Sequence, residues 1–175
     1  ALKFGYNEIL KRNKDANTTI LNGAMSVTNP TNGDILALVG GVDYAKSNFN
    51  RATQSSRQPG SSFKPFIYQI ALNQGLSPQS KIADISRIYE GVNKDNQEDQ
   101  DWKPKNFSGN FKGLITLNDA LKQSRNLATI NLLNSLGLDV VQRDLESFGF
   151  KNIPSNLSIA LGSFGVSLMD YSEQY

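Results

Sequence analysis

Gly60-Ser61-Ser62-Phe63-Lys64-Pro65-Phe66 follows a Pro59-Gly60 turn signal and opens a run in which Phe63, Phe66, Ile67, Ile70 and Ala71 recur at helical spacing. The pattern predicts a helix that starts at the Gly60 turn, stops at Gly75 and buries one face in a core. In such a helix Ser61 lies in the first turn, and Lys64 lies three residues on along the same face. A serine hydroxyl is a weak nucleophile until a neighbouring base takes its proton. A neutral lysine amine is such a base, and burial and the positive end of a helix both favour the neutral form. First-turn N–H groups have no intrahelical partner, so one of them can meet an oxyanion. Pro65 fits there, where its missing N–H costs nothing.

A plainer reading stands beside this one. With 18 Ser and 12 Lys in 175 residues, Ser-x-x-Lys arises about once by chance. A serine at a turn-to-helix junction can also be a simple N-cap. Among Ser55, Ser56, Ser61 and Ser62, only Ser61 has Lys at the third following position. That context favours chemistry.

Upstream, Leu2, Tyr6, Ile9 and Leu10 predict a short helix within residues 2–14, and Asp15 to Thr19 is a polar break. Ala24–Thr28 and Ile35–Val39 are strand candidates joined by Asn29-Pro30-Thr31-Asn32-Gly33-Asp34, which predicts a hairpin. Asp43 to Gln58 is polar and irregular. Downstream, Asn93 to Asp101 predicts a mobile acidic loop. Thr116-Leu117-Asn118-Asp119 resembles a capping box, with Asp in the usual place of Glu, and opens a helix through Lys122. A helix over Leu127–Leu136 is expected to end at Gly137, and Asp139 to cap another that ends at Gly149. Ser158 to Gly165 is a small-residue turn region. No repeat is present.

Composition narrows the chemistry further. The chain has no Cys and no His, which removes thiol nucleophiles, Cys/His metal sites and Ser–His mechanisms. Nucleophilic catalysis here has to pair Ser or Thr with a Lys or carboxylate base. Neither a metal nor a cofactor is expected. The net charge is +2 and the basic residues are scattered, so no nucleic-acid partner is expected. The apolar runs are too short to span a bilayer.

Ser-x-Asn occurs twice, as Ser108-Gly109-Asn110 and Ser124-Arg125-Asn126. The first has turn chemistry. The second separates two predicted helices, where Ser124 either caps the second helix or passes a proton between a lysine and a leaving amine. In the latter case the Asn126 amide holds a substrate backbone.

These residues resemble the penicillin-binding transpeptidase domain of bifunctional (class A) peptidoglycan synthases, whose Ser-x-x-Lys, Ser-x-Asn and Lys-Thr-Gly motifs form one site. Gly23–Pro30 with Asn32–Gly41 is similar to the family's opening hairpin. Phe49-Asn50-Arg51-Ala52-Thr53 and Arg57–Phe66 are similar to the class A branch. Trp102-Lys103-Pro104-Lys105-Asn106, Phe111–Leu121, Ser124-Arg125-Asn126, Ala160-Leu161-Gly162-Ser163 and Val166-Ser167 continue in the family's order. The resemblance favours the Ser-x-Asn copy at Ser124. It implies an α+β fold with helices packed on an antiparallel sheet, of which only the first two core strands lie in this chain. The organisation expected is a lead-in over 1–20 and a partial transpeptidase domain over 21–175.

The resemblance also implies a function. Ser61 would be acylated by a stem peptide ending in D-Ala-D-Ala, Lys64 would be the base, Ser124 would shuttle the proton and Asn126 would orient the donor. Peptidoglycan stem peptides and β-lactam antibiotics would be the partners, on the extracytoplasmic face of the bacterial cytoplasmic membrane. Contact with that membrane would come only through an anchor outside these residues. No Lys-Thr-Gly or Lys-Ser-Gly occurs, so a C-terminal segment carrying it is expected beyond Tyr175, and these residues alone are expected to be inactive. A penicillin-sensing or catalytically incompetent module of the same fold is the alternative, followed by a serine β-lactamase.

Overall fold

The computed structural model describes residues 1–13, 21–89 and 102–175. The polar break at Asp15–Thr19 and the loop at Asn93–Asp101 lie outside the described residues. In chain order the elements are α1 (Leu2–Arg12), β1 (Met25–Thr28), β2 (Ile35–Val39), β3 (Ser56–Arg57), a 3₁₀ turn (Gly60–Phe63), α2 (Lys64–Asn73), β4 (Lys81–Asp84), β5 (Gly113–Thr116), α3 (Leu117–Lys122), α4 (Asn126–Leu136), α5 (Leu138–Ser147), a second 3₁₀ turn (Leu157–Leu161), β6 (Val166–Ser167) and α6 (Leu168–Glu173). They form two compact units: Ala1–Gln58 with Gly165–Tyr175, and Pro59–Phe164.

In the first unit β1 and β2 pair antiparallel, with Met25 opposite Val39 and Thr28 opposite Ile35, and the register shifts between Val27 and Thr28. The connection closes through its own polar groups. Asn29 N–H donates to Asp34 O at 2.8 Å and Gly33 N–H to Asn29 O at 2.8 Å, while Asn29 Oδ1 accepts from Thr31 N–H at 3.0 Å. Gly33 takes φ 77°, which a side chain would resist. β3 pairs with β6, Ser56 facing Ser167 and Arg57 facing Val166. The helix α6 carries a start signal that the sequence reading missed: Ser167 Oγ accepts from Asp170 N–H at 3.0 Å and donates to Asp170 Oδ2 at 2.7 Å.

The second unit is built on α2 and α4. Phe63, Ile67, Ile70, Ala71, Ile130 and Leu133 are fully buried. Phe63 meets Phe164 edge-on at 4.8 Å and Phe150 at 5.3 Å between ring centroids, a geometry that adds to the burial of three large side chains. β4 and β5 form a second antiparallel pair, Lys81 opposite Thr116 and Asp84 opposite Gly113. Beyond the expected hairpin, then, the described residues contain two further short pairs.

Three local expectations change. The helix predicted from Gly60 begins as a 3₁₀ turn and becomes α-helical only at Lys64, with Pro65 at its start. An α-helix through Ser61 would need a bond from residue 65 to Ser61 O, and Pro65 has no N–H. Lys64 N–H takes that carbonyl instead, as a 3₁₀ bond. At Thr116 only the forward half of a capping box forms. Its hydroxyl accepts from Asp119 N–H at 3.0 Å and donates to Asp119 Oδ2 at 2.7 Å; the Asp side chain is one methylene shorter than Glu. Asp139 does not cap α5. Gly137 holds the N-cap position without a side-chain bond, and Asp139 lies in the first turn, where a carboxylate still suits the helix dipole.

Candidate active site

Pro59 precedes the 3₁₀ turn that carries Ser61. Side chains three apart eclipse in that helix type, so Ser61 and Lys64 project from one line of the turn. Ser61 is exposed and Lys64 is fully buried. Gly162 braces the turn. It lies in the left-handed region at φ 63°, its carbonyl accepts Gly60 N–H at 3.1 Å, and a methyl group at position 162 would collide with Gly60 O. The hydroxyl of Ser62 is occupied differently, donating to Pro59 O at 2.7 Å.

Lys64 Nζ makes three hydrogen bonds. It donates to Ser124 O at 2.7 Å, Ser124 Oγ at 3.1 Å and Asn126 Oδ1 at 2.8 Å. Burial lowers its pKa from 10.5 to about 8, because the apolar surroundings penalise the charge. The carbonyl and the amide oxygen can only accept. A neutral amine would give its two N–H groups to them and keep its lone pair for a hydroxyl. Asn126 presents Oδ1 rather than Nδ2 to the lysine because Nδ2 donates to Lys105 O at 3.1 Å. Lys64, Ser124 and Asn126 are therefore brought together, with Ser61 one 3₁₀ turn from the lysine.

Ser124 is not the N-cap of α4. Arg125 holds that position without a side-chain cap bond. Ser124 instead follows α3 at the place where a Schellman motif needs a left-handed residue. Arg125 N–H reaches Ala120 O at 2.9 Å and Ser124 N–H reaches Leu121 O at 2.9 Å. Glycine is the usual occupant, and Gly75 and Gly149 fill the equivalent place after α2 and α5 with φ 91° and 97°. Ser124 does so at φ 50°, a conformation that costs a side chain about 1–2 kcal/mol. In that conformation both its carbonyl and its hydroxyl meet Lys64 Nζ. The other copy, Ser108-Gly109-Asn110, forms a turn, with Ser108 Oγ donating to Asn110 Oδ1 at 2.7 Å and Gly109 at φ 72°.

The sequence reading passed over the neighbours of Ser124. Arg125 is 6% exposed and Asp84 fully buried. Arg125 Nε donates to Asp84 Oδ2 at 2.9 Å and one terminal nitrogen at 2.5 Å. Asn106 Nδ2 donates to Asp84 Oδ1 at 2.9 Å, and Lys112 N–H to Asp84 Oδ2 at 2.9 Å. Burial alone would raise the Asp84 pKa; the bonds from Arg125, Asn106 and the Lys112 amide outweigh it and hold the carboxyl below 3.8. The sign of the pH effect follows. The unfolded chain takes up this proton before the folded one, so the ion pair's contribution is complete above pH 3.8 and is lost as pH falls through the lower folded value. Arg125→Ala should cost about 3–5 kcal/mol in denaturant titrations at neutral pH, by leaving a buried carboxylate without its counter-ion. The loss should shrink on acidification.

Among the described residues no cluster of three His, Cys, Asp or Glu side chains is placed to hold a metal ion. No helix among them is long and apolar enough to cross a membrane.

Residues 23–167 match the penicillin binding protein transpeptidase domain family. Penicillin-binding protein 1A of Neisseria flavescens is 42% identical over 160 residues, covering 89% of this chain and 19% of the relative. That of Pseudomonas aeruginosa is 41% identical over 149 residues, covering 84% and 18%. The crystal structure of penicillin-binding protein 1A from Haemophilus influenzae superposes with a TM-score of 0.76 at 38% identity, covering 85% of this chain and 22% of that one. The chain thus spans about a fifth of the length of these relatives. On the family match over most of its length, this chain belongs to the penicillin-binding protein transpeptidase domain family.

Proposed function

We propose that this chain supplies the acylating half of a peptidoglycan D,D-transpeptidase, with Ser61 as nucleophile, Lys64 as base, Ser124 as proton relay and Asn126 as a donor-peptide contact. One observation carries the reading: a fully buried lysine, bonded to Ser124 and Asn126, lies one 3₁₀ turn from an exposed serine.

Neutral Lys64 takes the Ser61 proton as Oγ bonds to the penultimate D-Ala carbonyl carbon, and the carbonyl electron pair moves to oxygen. The Ser61 N–H, at the start of the 3₁₀ turn, is positioned to donate to that oxyanion. Collapse breaks the C–N bond. The terminal D-Ala amine leaves with a proton relayed from Lys64 through Ser124 Oγ. An amine from a neighbouring stem then attacks the ester, gives its proton back through Lys64 and restores the Ser61 hydroxyl. A β-lactam enters by the same attack, but its leaving amine stays tethered in the site, and the adduct persists. The reaction belongs on the extracytoplasmic face of the membrane, where the stem peptides are.

The test uses the full-length protein with a fluorescent penicillin and, separately, with stem peptides ending in D-Ala-D-Ala. A long-lived adduct together with D-Ala release is expected. A stable adduct without D-Ala release would replace this reading with a penicillin sensor, and rapid antibiotic turnover would replace it with a β-lactamase.

A further inference from the structure

We infer that Asp84 and Arg125 form a buried latch that positions Ser124 for proton transfer, an inference that rests on the acyl-transfer function proposed above. Arg125 lies between the two residues that bond Lys64, and its guanidinium points away from them into a closed set of acceptors. Besides Asp84, it donates to Ser108 Oγ at 3.1 Å, Asn110 Oδ1 at 3.1 Å and Asn110 O at 2.7 Å. Its carbonyl is held as well, accepting from Thr129 Oγ1 at 2.8 Å. Asn106 ties the same set to α4, its Nδ2 donating to Asn110 O at 2.9 Å and its Oδ1 accepting Leu127 N–H at 3.0 Å.

The consequence is mechanical. A serine in the left-handed region is under strain, and strain of that kind persists only where the surroundings over-determine it. The Schellman bonds fix Ser124 from the side of α3. The latch fixes it from the other side, because a planar guanidinium bonded through all three nitrogens leaves the preceding peptide, which joins Arg125 to Ser124, little freedom. With both in place the Ser124 carbonyl and hydroxyl stay on Lys64 Nζ. Asp84 and Arg125 touch neither the lysine nor the nucleophile in this scheme. They act through Ser124, as positioning residues.

A double-mutant cycle in the full-length protein separates positioning from general support. The readout is the acylation rate constant with a chromogenic cephalosporin, measured apart from the dissociation constant of the pre-acylation complex. Asp84→Asn keeps the size of the side chain and removes its charge. It should slow acylation about 10- to 100-fold with the dissociation constant unchanged, the loss expected when a reacting group is displaced by about an ångström. In a Ser124→Ala background the same substitution should change the rate less than about twofold, because the hydroxyl that relays the proton is already gone and only the backbone carbonyl contact to Lys64 is left. Asn110→Ala trims an exposed acceptor of the latch and leaves the buried pair intact, so it decides the matter if Asp84→Asn does not fold. It should slow acylation about threefold, and again only when Ser124 is present. Equal losses in both backgrounds would overturn the latch while leaving the acyl-transfer function standing. Wild-type protein that is never acylated would overturn that function and the latch's role together.

Discussion

Ser61→Ala in the full-length protein should abolish the covalent penicillin adduct, while Ser62→Ala should keep acylation close to the wild-type rate. The two serines are adjacent in one exposed turn and differ in what surrounds them. Ser62 Oγ donates to the carbonyl of Pro59 at 2.7 Å, and its place in the turn is one residue off the line that Lys64 continues. Ser61 stands on that line. Without the Ser61 oxygen the hydroxyl left beside the lysine is that of Ser124, which serves as the relay, and attack by water would open the β-lactam without leaving an ester on the protein. Gel detection of the labelled protein reads the result directly. Equal loss in the two variants would move the nucleophile or make the turn itself the sensitive element.

Lys64→Ala should slow acylation by about three orders of magnitude, within the range that a positioned general base supplies. The chain has no His that could stand in. Lys64→Arg should fare little better, since a guanidinium keeps the charge but does not give up its proton in a protein. Ser124→Gly is instructive beside them. It relieves the strain at φ 50° and removes the hydroxyl, so it should leave stability equal or higher while acylation falls. Loss of stability and activity in step would point to a structural serine.

The sequence made some of this legible and hid the rest for physical reasons. Ser61 and Lys64 are three apart in one element, so the periodicity of a single helix places them on a common face. The hairpin was readable for the same reason, since Asn29 to Asp34 contain their own turn chemistry and close on themselves. Ser124 was ambiguous from spacing alone. A serine before a helix reads as its cap, and what made it something else is the left-handed turn ending α3, which glycine usually announces and which here carries no glycine. Resemblance to a family, not local chemistry, selected it over Ser108.

The Asp84–Arg125 pair lay outside local reading altogether. Its partners are 41 residues apart, and Asp84 sits in a short strand whose pairing with residues 113–116 depends on tertiary contacts rather than on alternation over four residues. A charged residue between Ser124 and Asn126, flanked by helices with apolar faces, was the one signal available. It asked where that charge goes on folding, and the answer required coordinates. The 3₁₀ turn at Gly60–Phe63 was readable in hindsight from Pro65, whose missing N–H forbids the α-helical bond to Ser61.

An uncharged Lys64 amine activates Ser61, so the pH dependence of penicillin acylation in the full-length protein should follow the ionisation of that amine. Burial places the amine's pKa near 8, and the group must be deprotonated to act. The second-order acylation rate should therefore fall about tenfold per unit below that value and level off above it, since this rate reports the ionisation of the free enzyme. A rate that stays flat from about pH 6 to 9, or a limb that survives unchanged in Lys64→Ala, would remove the neutral lysine as the base.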